Sequence, residues 1–442
     1  MTDDVVNFTY MLRLAYDFLH GGRKFQIKSN RKDKKLVSIV FPFSELVFAA
    51  KAIPIFPIRL EKYKVNTYLQ ALNSASSVFG WKTVTNFLGF VRKFDVLKVF
   101  DGIIDDLIDS LNDKYNEMYD IGIEEGISND FCYGIKSLYG MHSSHQGIYD
   151  SNVNVIIRCS AFNKYYESLK RYHKNLIWLD IPPRNIGNAL ELCTENVKDT
   201  INQLEKLTGN TINDNDLRKY FRISNECKQL YREIIYDISS SDFYPCNPAT
   251  FSEILALLSL SFQDFNSDAE TYLKNFRNLV KEMKERIRKK IGKDVSNMPR
   301  ILLTPRFGGW EPKSHEYIYD MGGRLLYADW EILGVLEPVE AYTYTDPIEA
   351  YAKFLMNTTT IGIGCDQNAL TDSYIRVAKK MNVDGLIFTQ LFGCHSISNC
   401  YQMLREKIRT ELEIPTTMIT FNKIGENLEQ VKTRLGAFME MF

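Results

Sequence analysis

The sequence predicts an α/β protein: two Rossmann-like (flavodoxin-like) parallel-sheet domains with a helical segment between or around them. Three observations carry this. Short apolar runs of strand length alternate with amphipathic stretches over residues 36–186 and again over 299–442, the order that gives a parallel sheet covered by helices. Residues 187–298, in between, read as long amphipathic helices. The 442-residue length is too great for one ordinary core and implies two or three domains.

Taken in order, residues 1–35 form an N-terminal helical segment, with a helix over 5–20 and a basic, polar stretch after it. Leu36 to Phe41 (LVSIVF) is a buried-strand pattern that Pro42 ends. Ser44-Glu45 then reads as the entry of a short helix over Leu46 to Lys51. Ala52 to Leu60 is a second strand, broken by two prolines and so not a regular central one. Residues 62–120 read as a mostly helical insertion. Val153 to Cys159 and Asn175 to Ile181 are strands, the second ended by Pro182-Pro183. Helices follow over Asn188 to Thr208, Asp214 to Ile238, Pro248 to Phe265 and Ala269 to Lys290. The last contains KEMKERIRKK, either a solvated face or a surface for an anionic partner. From Arg300 the alternation restarts, with strands at Ile301 to Thr304, Arg324 to Ala328, Leu386 to Thr389 and Thr416 to Thr420. Helices lie near Ser314 to Tyr319, Pro347 to Met356, Leu370 to Met381, Cys400 to Leu412 and Glu426 to Phe442.

Composition narrows the function classes. Hydrophobic residues make up 45% and charged residues 25%, values of an ordinary soluble globular chain. With 54 basic and 55 acidic residues the net charge is -1, which argues against a nucleic-acid partner. The start, MTDDVVNFTYML, lacks the pattern of a signal peptide. No apolar run approaches the ~18 residues of a membrane span. The expectation is a cytoplasmic protein with no membrane contact, whose eight cysteines stay as thiols.

Those thiols draw attention because of where they fall. Ligands of open α/β sheets collect outside the carboxyl ends of strands. Cys159 ends the strand VNVIIRC, and Cys394 ends the strand in VDGLIFTQLFGCH, followed by His395. Cys132 lies in the loop segment FCYGIKSLYG and Cys365 in TIGIGCDQN. Cys193, Cys227 and Cys400 fall on helices, and Cys246 in a proline-flanked loop. There is no CxxC and no four-cysteine ferredoxin run, so a cluster would be assembled from distant positions. The opposing reading is that each thiol is a small buried hydrophobe. Glu45, after the first strand, is either a general base or a first-turn acid. Ser44 is either an N-cap or a ligand. His395 is either a proton donor or a polar helix-entry residue. His142 and His145 have helical i, i+3 spacing without a third ligand. The Gly pair in TPRFGGW is a weak anion-site signal. Neither GxGxxG nor GxxxxGK[ST] occurs, which leaves no nucleotide motif.

Several stretches together resemble the 2-hydroxyacyl-CoA dehydratase and benzoyl-CoA reductase family. FPFSELVFAAKAIPI is similar to that family's P-x-E-L/I-x-x-A-A-G-A-x-P segment. CYGIKSLYG resembles its first cluster cysteine, with Tyr133 in place of the usual proline. GCDQN, VDGLIFTQLFGCHSISN and the ending IPTTMITFNKIGENLEQVKTRLGAFMEMF resemble its C-terminal block. The likeness runs from about residue 36 to the end.

The resemblance implies one [4Fe-4S] cluster held by Cys132, Cys159 and Cys394, with one iron left open to a substrate or other ligand. Ser44, Glu45 and His395, singled out by their positions above, are the candidate catalytic residues near that iron. The resemblance further implies an acyl-CoA substrate and a separate ATP-dependent iron-sulfur activator that delivers a low-potential electron. A related second subunit, or a homodimer, completes the set. The reaction class is a dehydratase (lyase), in which a ketyl radical anion expels a 2-hydroxyl group, or a reductase of an aromatic ring. Two alternatives stay open: an ATP-dependent reductase of a small non-CoA substrate, with a larger double-cubane cluster that adds Cys365, and a partner subunit that only relays electrons.

Overall fold

The computed structural model describes residues 8–39, 44–56, 67–92, 103–144, 152–157, 170, 175–304, 311, 313–362, 366–394, 398 and 400–442. The chain opens on α1 (Thr9–Lys32), which leads into β1 (Leu36–Ile39), α2 (Ser44–Ala49) and β2 (Ile53–Ile55). Three helices follow, α3 (Thr67–Phe79), α4 (Trp81–Arg92) and α5 (Ile103–Glu124), then α6 (Tyr133–Ser143), β3 (Val153–Ile157) and β4 (Leu176–Leu179). The first sheet has the order β2-β1-β3-β4, and every pairing is parallel. All residues of β1 and β3 are buried, as expected for strands covered on both faces.

α1 runs twelve residues beyond the predicted end at 20. Phe25, 1% exposed, carries the buried stripe past Gly21-Gly22. Its first turn is held by Glu282, which accepts from the N–H groups of Thr9 (3.0 Å) and Tyr10 (2.9 Å). β2 is shorter than the predicted strand over 52–60. It is an edge strand, where Pro54 is tolerated because no neighbour needs its missing N–H. Residues 57–60 lie outside the described residues.

The helical block comprises α7 (Ala189–Thr208), α8 (Asp214–Glu233), a π-helical turn at Ile234–Ile238, α9 (Pro248–Ser261) and α10 (Ala269–Arg288). Side-chain caps set its starts. Asn213 accepts from the Asp216 N–H, Asn247 from Ala249 with Pro248 beside it, and Asp268 from Thr271. The basic run on α10 is largely occupied by neighbours. Lys284 pairs with Glu233 at 2.7 Å, and Lys289 with Glu285 at 2.6 Å. Arg286 donates to the Pro245 carbonyl at 2.8 Å. A small antiparallel ribbon of β5 (Phe243–Tyr244) and β6 (Lys293–Asp294) closes the block.

The second sheet uses β7 (Arg300–Thr304), β8 (Arg324–Leu326), β9 (Gly385–Leu391) and β10 (Thr416–Phe421) in the order β10-β9-β7-β8, again all parallel. Its helices are α11 (Lys313–Asp320), the short α12 (Asp329–Ile332), α13 (Pro347–Gly362), α14 (Gln367–Lys380), α15 (Tyr401–Glu411) and α16 (Leu428–Met439). Counted within itself, each sheet runs second, first, third, fourth. That is the flavodoxin-like order, and its switch point lies between the first and third strands. In the first sheet those strands are β1 and β3; in the second they are β7 and β9. The chain is therefore an α/β protein of two Rossmann-like sheets with a large helical complement.

Candidate functional site

Cys132 occupies the N-cap of α6, with φ -70° and ψ 162°. It stands just before the helix, so a negative sulfur there faces the positive end of the helix dipole and the first-turn N–H groups. The position of α6 is fixed by backbone contact with α5. A Cβ on Gly140 would lie 1.8 Å from the Met118 carbonyl oxygen, and one on Gly122 would lie 2.3 Å from that of Lys136. Only glycine lets the two helices cross this closely.

Cys394 reaches the same place from the second sheet. β9 ends at Leu391, and the Phe392 N–H donates to the Phe421 carbonyl at 2.8 Å. Gly393 then turns the chain at φ +80°, and the Cys394 N–H closes the turn on Leu391 O at 3.0 Å. A Cβ on Gly393 would stand 2.6 Å from the carbonyl carbon of Phe131, the residue before Cys132. The two cysteine loops are thus in backbone contact. Both thiol residues are half-buried, and both pack against the same apolar cluster beside Tyr133.

Of the three predicted cluster ligands, Cys132 and Cys394 come together. Cys159 lies outside the described residues, as do His395, Cys365 and His145. Its place in the chain is nonetheless informative. Cys159 follows β3 by two residues, and Cys394 follows β9 by three, and β3 and β9 are the third strands of their sheets. Among the described residues no three His, Cys, Asp or Glu side chains form a metal-holding group.

Around the paired loops are further polar groups. Lys136, one turn after Cys132, is 2% exposed, and its ammonium donates to the Tyr119 hydroxyl at 3.4 Å. Tyr119 stacks on Tyr133 at 5.4 Å, and the Tyr133 hydroxyl donates to Asn116 Oδ1 at 3.1 Å. Burial pushes the Tyr133 hydroxyl far above its ordinary value, so it remains a donor. Behind Cys394, the Thr304 hydroxyl at the end of β7 donates to Asp329 Oδ1 at 3.3 Å. The Tyr374 hydroxyl lies near Cys400, Asp329, Thr304 and Cys394, and burial holds it protonated. The i, i+4 spacing of Cys132 and Lys136 was a usable signal. The approach of Tyr374 was not, because it depends on the packing of α14 over β7 and β9.

Ser44 and Glu45 lie in a different setting. Both are fully buried, and Ser44 donates to the Gln263 carbonyl. Glu45 accepts from Ser224 Oγ at 2.6 Å and from the Tyr351 hydroxyl at 3.4 Å. These bonds tie α2 to α8 and α13. The buried Lys228 close by has its amine lowered from 10.5 to about 8, chiefly by burial, with Glu45 opposing. Cys193, Cys227, Cys246 and Cys400 are fully buried. Burial pushes Cys193 and Cys400 up to about 12 and Cys227 well above its usual range, so all three are protonated, unreactive core residues. Of the TPRFGGW segment only Thr304 is described, and of the histidine pair only His142, buried on α6.

The residues present suit a thiolate-held iron-sulfur cluster on three counts: two half-buried thiols on apposed loops, a helix N-terminus beside one of them, and a buried ammonium near it. Comparison with known proteins points to a dehydratase-type subunit. The chain is similar to the "Putative dehydratase subunit YjiM" of Escherichia coli (strain K12), 23% identical over 334 residues, which cover 72% of this chain and 82% of that protein. The family model described as 2-hydroxyglutaryl-CoA dehydratase, D-component, matches residues 41–442. With the whole second sheet, every strand of the first except β1, both cysteine loops and the closing helix inside that match, the chain belongs to the 2-hydroxyglutaryl-CoA dehydratase D-component family.

Proposed function

We propose that this chain is the [4Fe-4S] subunit of an ATP-activator-dependent 2-hydroxyacyl-CoA dehydratase, with Cys132, Cys159 and Cys394 as its ligands. The observation that carries the reading is the backbone contact between Gly393 and Phe131, which sets the Cys132 and Cys394 loops side by side. When bound, the cluster supplies a low-potential electron and an open iron site for a thioester.

The chain's own residues do the rest. The α6 N-terminus and Lys136 favour negative charge between the loops. The Tyr374 phenol, kept protonated, offers a hydrogen bond in a setting poor in water, while that of Tyr133 is held by Asn116. Phe392, 53% exposed next to Cys394, presents an apolar face for an acyl chain. His395, adjacent in sequence to Cys394, is the nearest candidate to move a proton to a departing hydroxyl. Glu45 and Ser44 serve the packing of α2 rather than proton transfer, because their oxygens are engaged by Ser224, Tyr351 and Gln263. The D-component family and the dehydratase-subunit relative favour a related partner subunit. No described helix is long and apolar enough to cross a membrane.

The test is electron paramagnetic resonance of the anaerobically purified, dithionite-reduced protein, with and without a 2-hydroxyacyl-CoA ester. A cluster signal altered by the ester supports the reading. A signal indifferent to every acyl-CoA refutes a substrate-binding role and leaves an electron relay. Absence of iron and acid-labile sulfide from the anaerobically purified protein refutes the cluster.

A further inference from the structure

Lys136 poses an electrostatic problem within the described residues. It is among the most completely buried large side chains, at 2% exposure. Burying an ammonium costs several kcal/mol unless a counter-charge or several hydrogen bonds replace its water. Two other buried cations among the described residues have a counter-charge nearby. Arg324 donates to the Ser241 carbonyl at 2.6 Å and approaches Asp242 at 3.9 Å. Lys228 donates to the Glu337 carbonyl at 3.0 Å and lies in the field of Glu45. Lys136 has the Tyr119 hydroxyl at a long 3.4 Å and the Tyr119 ring at 5.1 Å, and no carboxylate among the described residues pairs with it. The other ammonium over that ring, Lys423, is neutralised by both oxygens of Asp120 at 2.7 Å.

Direction completes the argument. Lys136 stands one turn after Cys132 on α6, and its backbone N–H donates to the Cys132 carbonyl at 3.0 Å. Side chains four apart share a helix face, and each leans toward the helix N-terminus. The Lys136 stem therefore leads back toward Cys132 and the loop of Cys394.

We propose that Lys136 is the fixed counter-charge of the anionic cluster held between the Cys132 and Cys394 loops, and that it raises the reduction potential of that cluster. This rests on the proposed function above. A [4Fe-4S] core with three thiolates is negative when oxidised and gains one further negative charge when reduced. A cation beside it stabilises the reduced form more than the oxidised one. Lys136 acts through the field it places on the cluster and is a positioning and tuning residue.

The experiment is a potentiometric titration, followed by visible absorption and electron paramagnetic resonance, on the holoprotein and on Lys136→Met, Lys136→Gln and Lys136→Arg. Iron and sulfide are quantified in each. Without the charge, the Met and Gln variants are expected to be at least tenfold less reduced at a given poise, a fall of 59 mV for a one-electron couple. Lys136→Arg is expected to stay near the wild type. An unmoved potential in a cluster-containing Met or Gln variant overturns the inference and leaves the proposed function standing. Loss of cluster from Met and Gln with retention in Arg supports it. Loss from all three with intact circular dichroism overturns it, since shape rather than charge would then matter. A wild type without cluster overturns this inference and the proposed function together.

Discussion

Replacing Gly393 by alanine isolates the contact on which the site depends. Two penalties act there. An L-residue at φ +80° costs about 1–2 kcal/mol. The new methyl would also stand 2.6 Å from the Phe131 carbonyl carbon and 2.8 Å from the Asp130 carbonyl oxygen. Both are backbone atoms that cannot rotate away, so the loops must part by about 0.8 Å to reach an ordinary 3.4 Å contact. Overpacking of this kind adds about 1–3 kcal/mol. The total is roughly 2–5 kcal/mol. Gly126→Ala is the matched control. It has φ +85° and nothing within 4 Å of its Cβ, so it carries the backbone penalty alone. Urea midpoints of both variants, read beside iron content after anaerobic reconstitution, separate the two effects. Gly393→Ala should unfold at lower urea than Gly126→Ala and bind much less iron, while Gly126→Ala keeps its iron. Equal midpoints and equal iron would refute the claim that loop apposition builds the site.

Three further outcomes are expected. Alkylation of the native, metal-free protein at pH 8, read by mass spectrometry, should label the half-buried Cys132 and Cys394 well before Cys193, Cys227 and Cys400, whose thiols burial keeps protonated; equal rates would contradict the burial assignment. The Lys228 amine has a native value near 8 against 10.5, so across that window the unfolded chain holds a proton that the native chain lacks. Its contribution to stability therefore rises with pH, by up to roughly 3 kcal/mol; the stability of the wild type relative to Lys228→Met should climb over this range, and a flat difference would count against a buried, charge-depleted amine. Gly140→Ala, which would force a methyl to 1.8 Å from Met118 O, should destabilise the α5–α6 pair by at least about 2 kcal/mol in urea unfolding; a neutral result would mean that the helices can slide without cost.

Much of the architecture was legible because its signals are local. Within the runs LVSIVF, VNVIIRC and DGLIFTQL, Leu36–Ile39 and Val153–Ile157 are wholly buried and Gly385–Leu391 nearly so in parallel sheets, and unbroken apolar runs are what such strands require. The helices that begin at Asp214, Pro248 and Ala269 start where the sequence pattern places them, and the structure adds side-chain caps from Asn213, Asn247 and Asp268. Boundaries failed where long-range contacts decide them. α1 continues to Lys32 because Phe25 finds a buried place, and β2 shrinks to three residues around Pro54. At the site, cysteine position relative to strand ends marked Cys394, and the helix entry after a loop marked Cys132. Sequence position alone left Glu45 between a general base and a first-turn acid. A first-turn acid after a strand looks poised over a cleft, whereas here it is covered by Ser224 and Tyr351 from helices more than 170 residues away. The i, i+4 spacing of Lys136 from Cys132 is legible in the sequence, but its weight appears only once that helix face is known to be buried.

The central claim is that sulfurs from both sheets hold one cluster, and iron with acid-labile sulfide per chain tests it most directly. Anaerobically prepared wild type and the helix-core control Cys193→Ser should each carry one [4Fe-4S] equivalent, and Cys132→Ser, Cys159→Ser and Cys394→Ser should each lose most of it. Full iron in any of those three variants, or none in the wild type, would contradict the account.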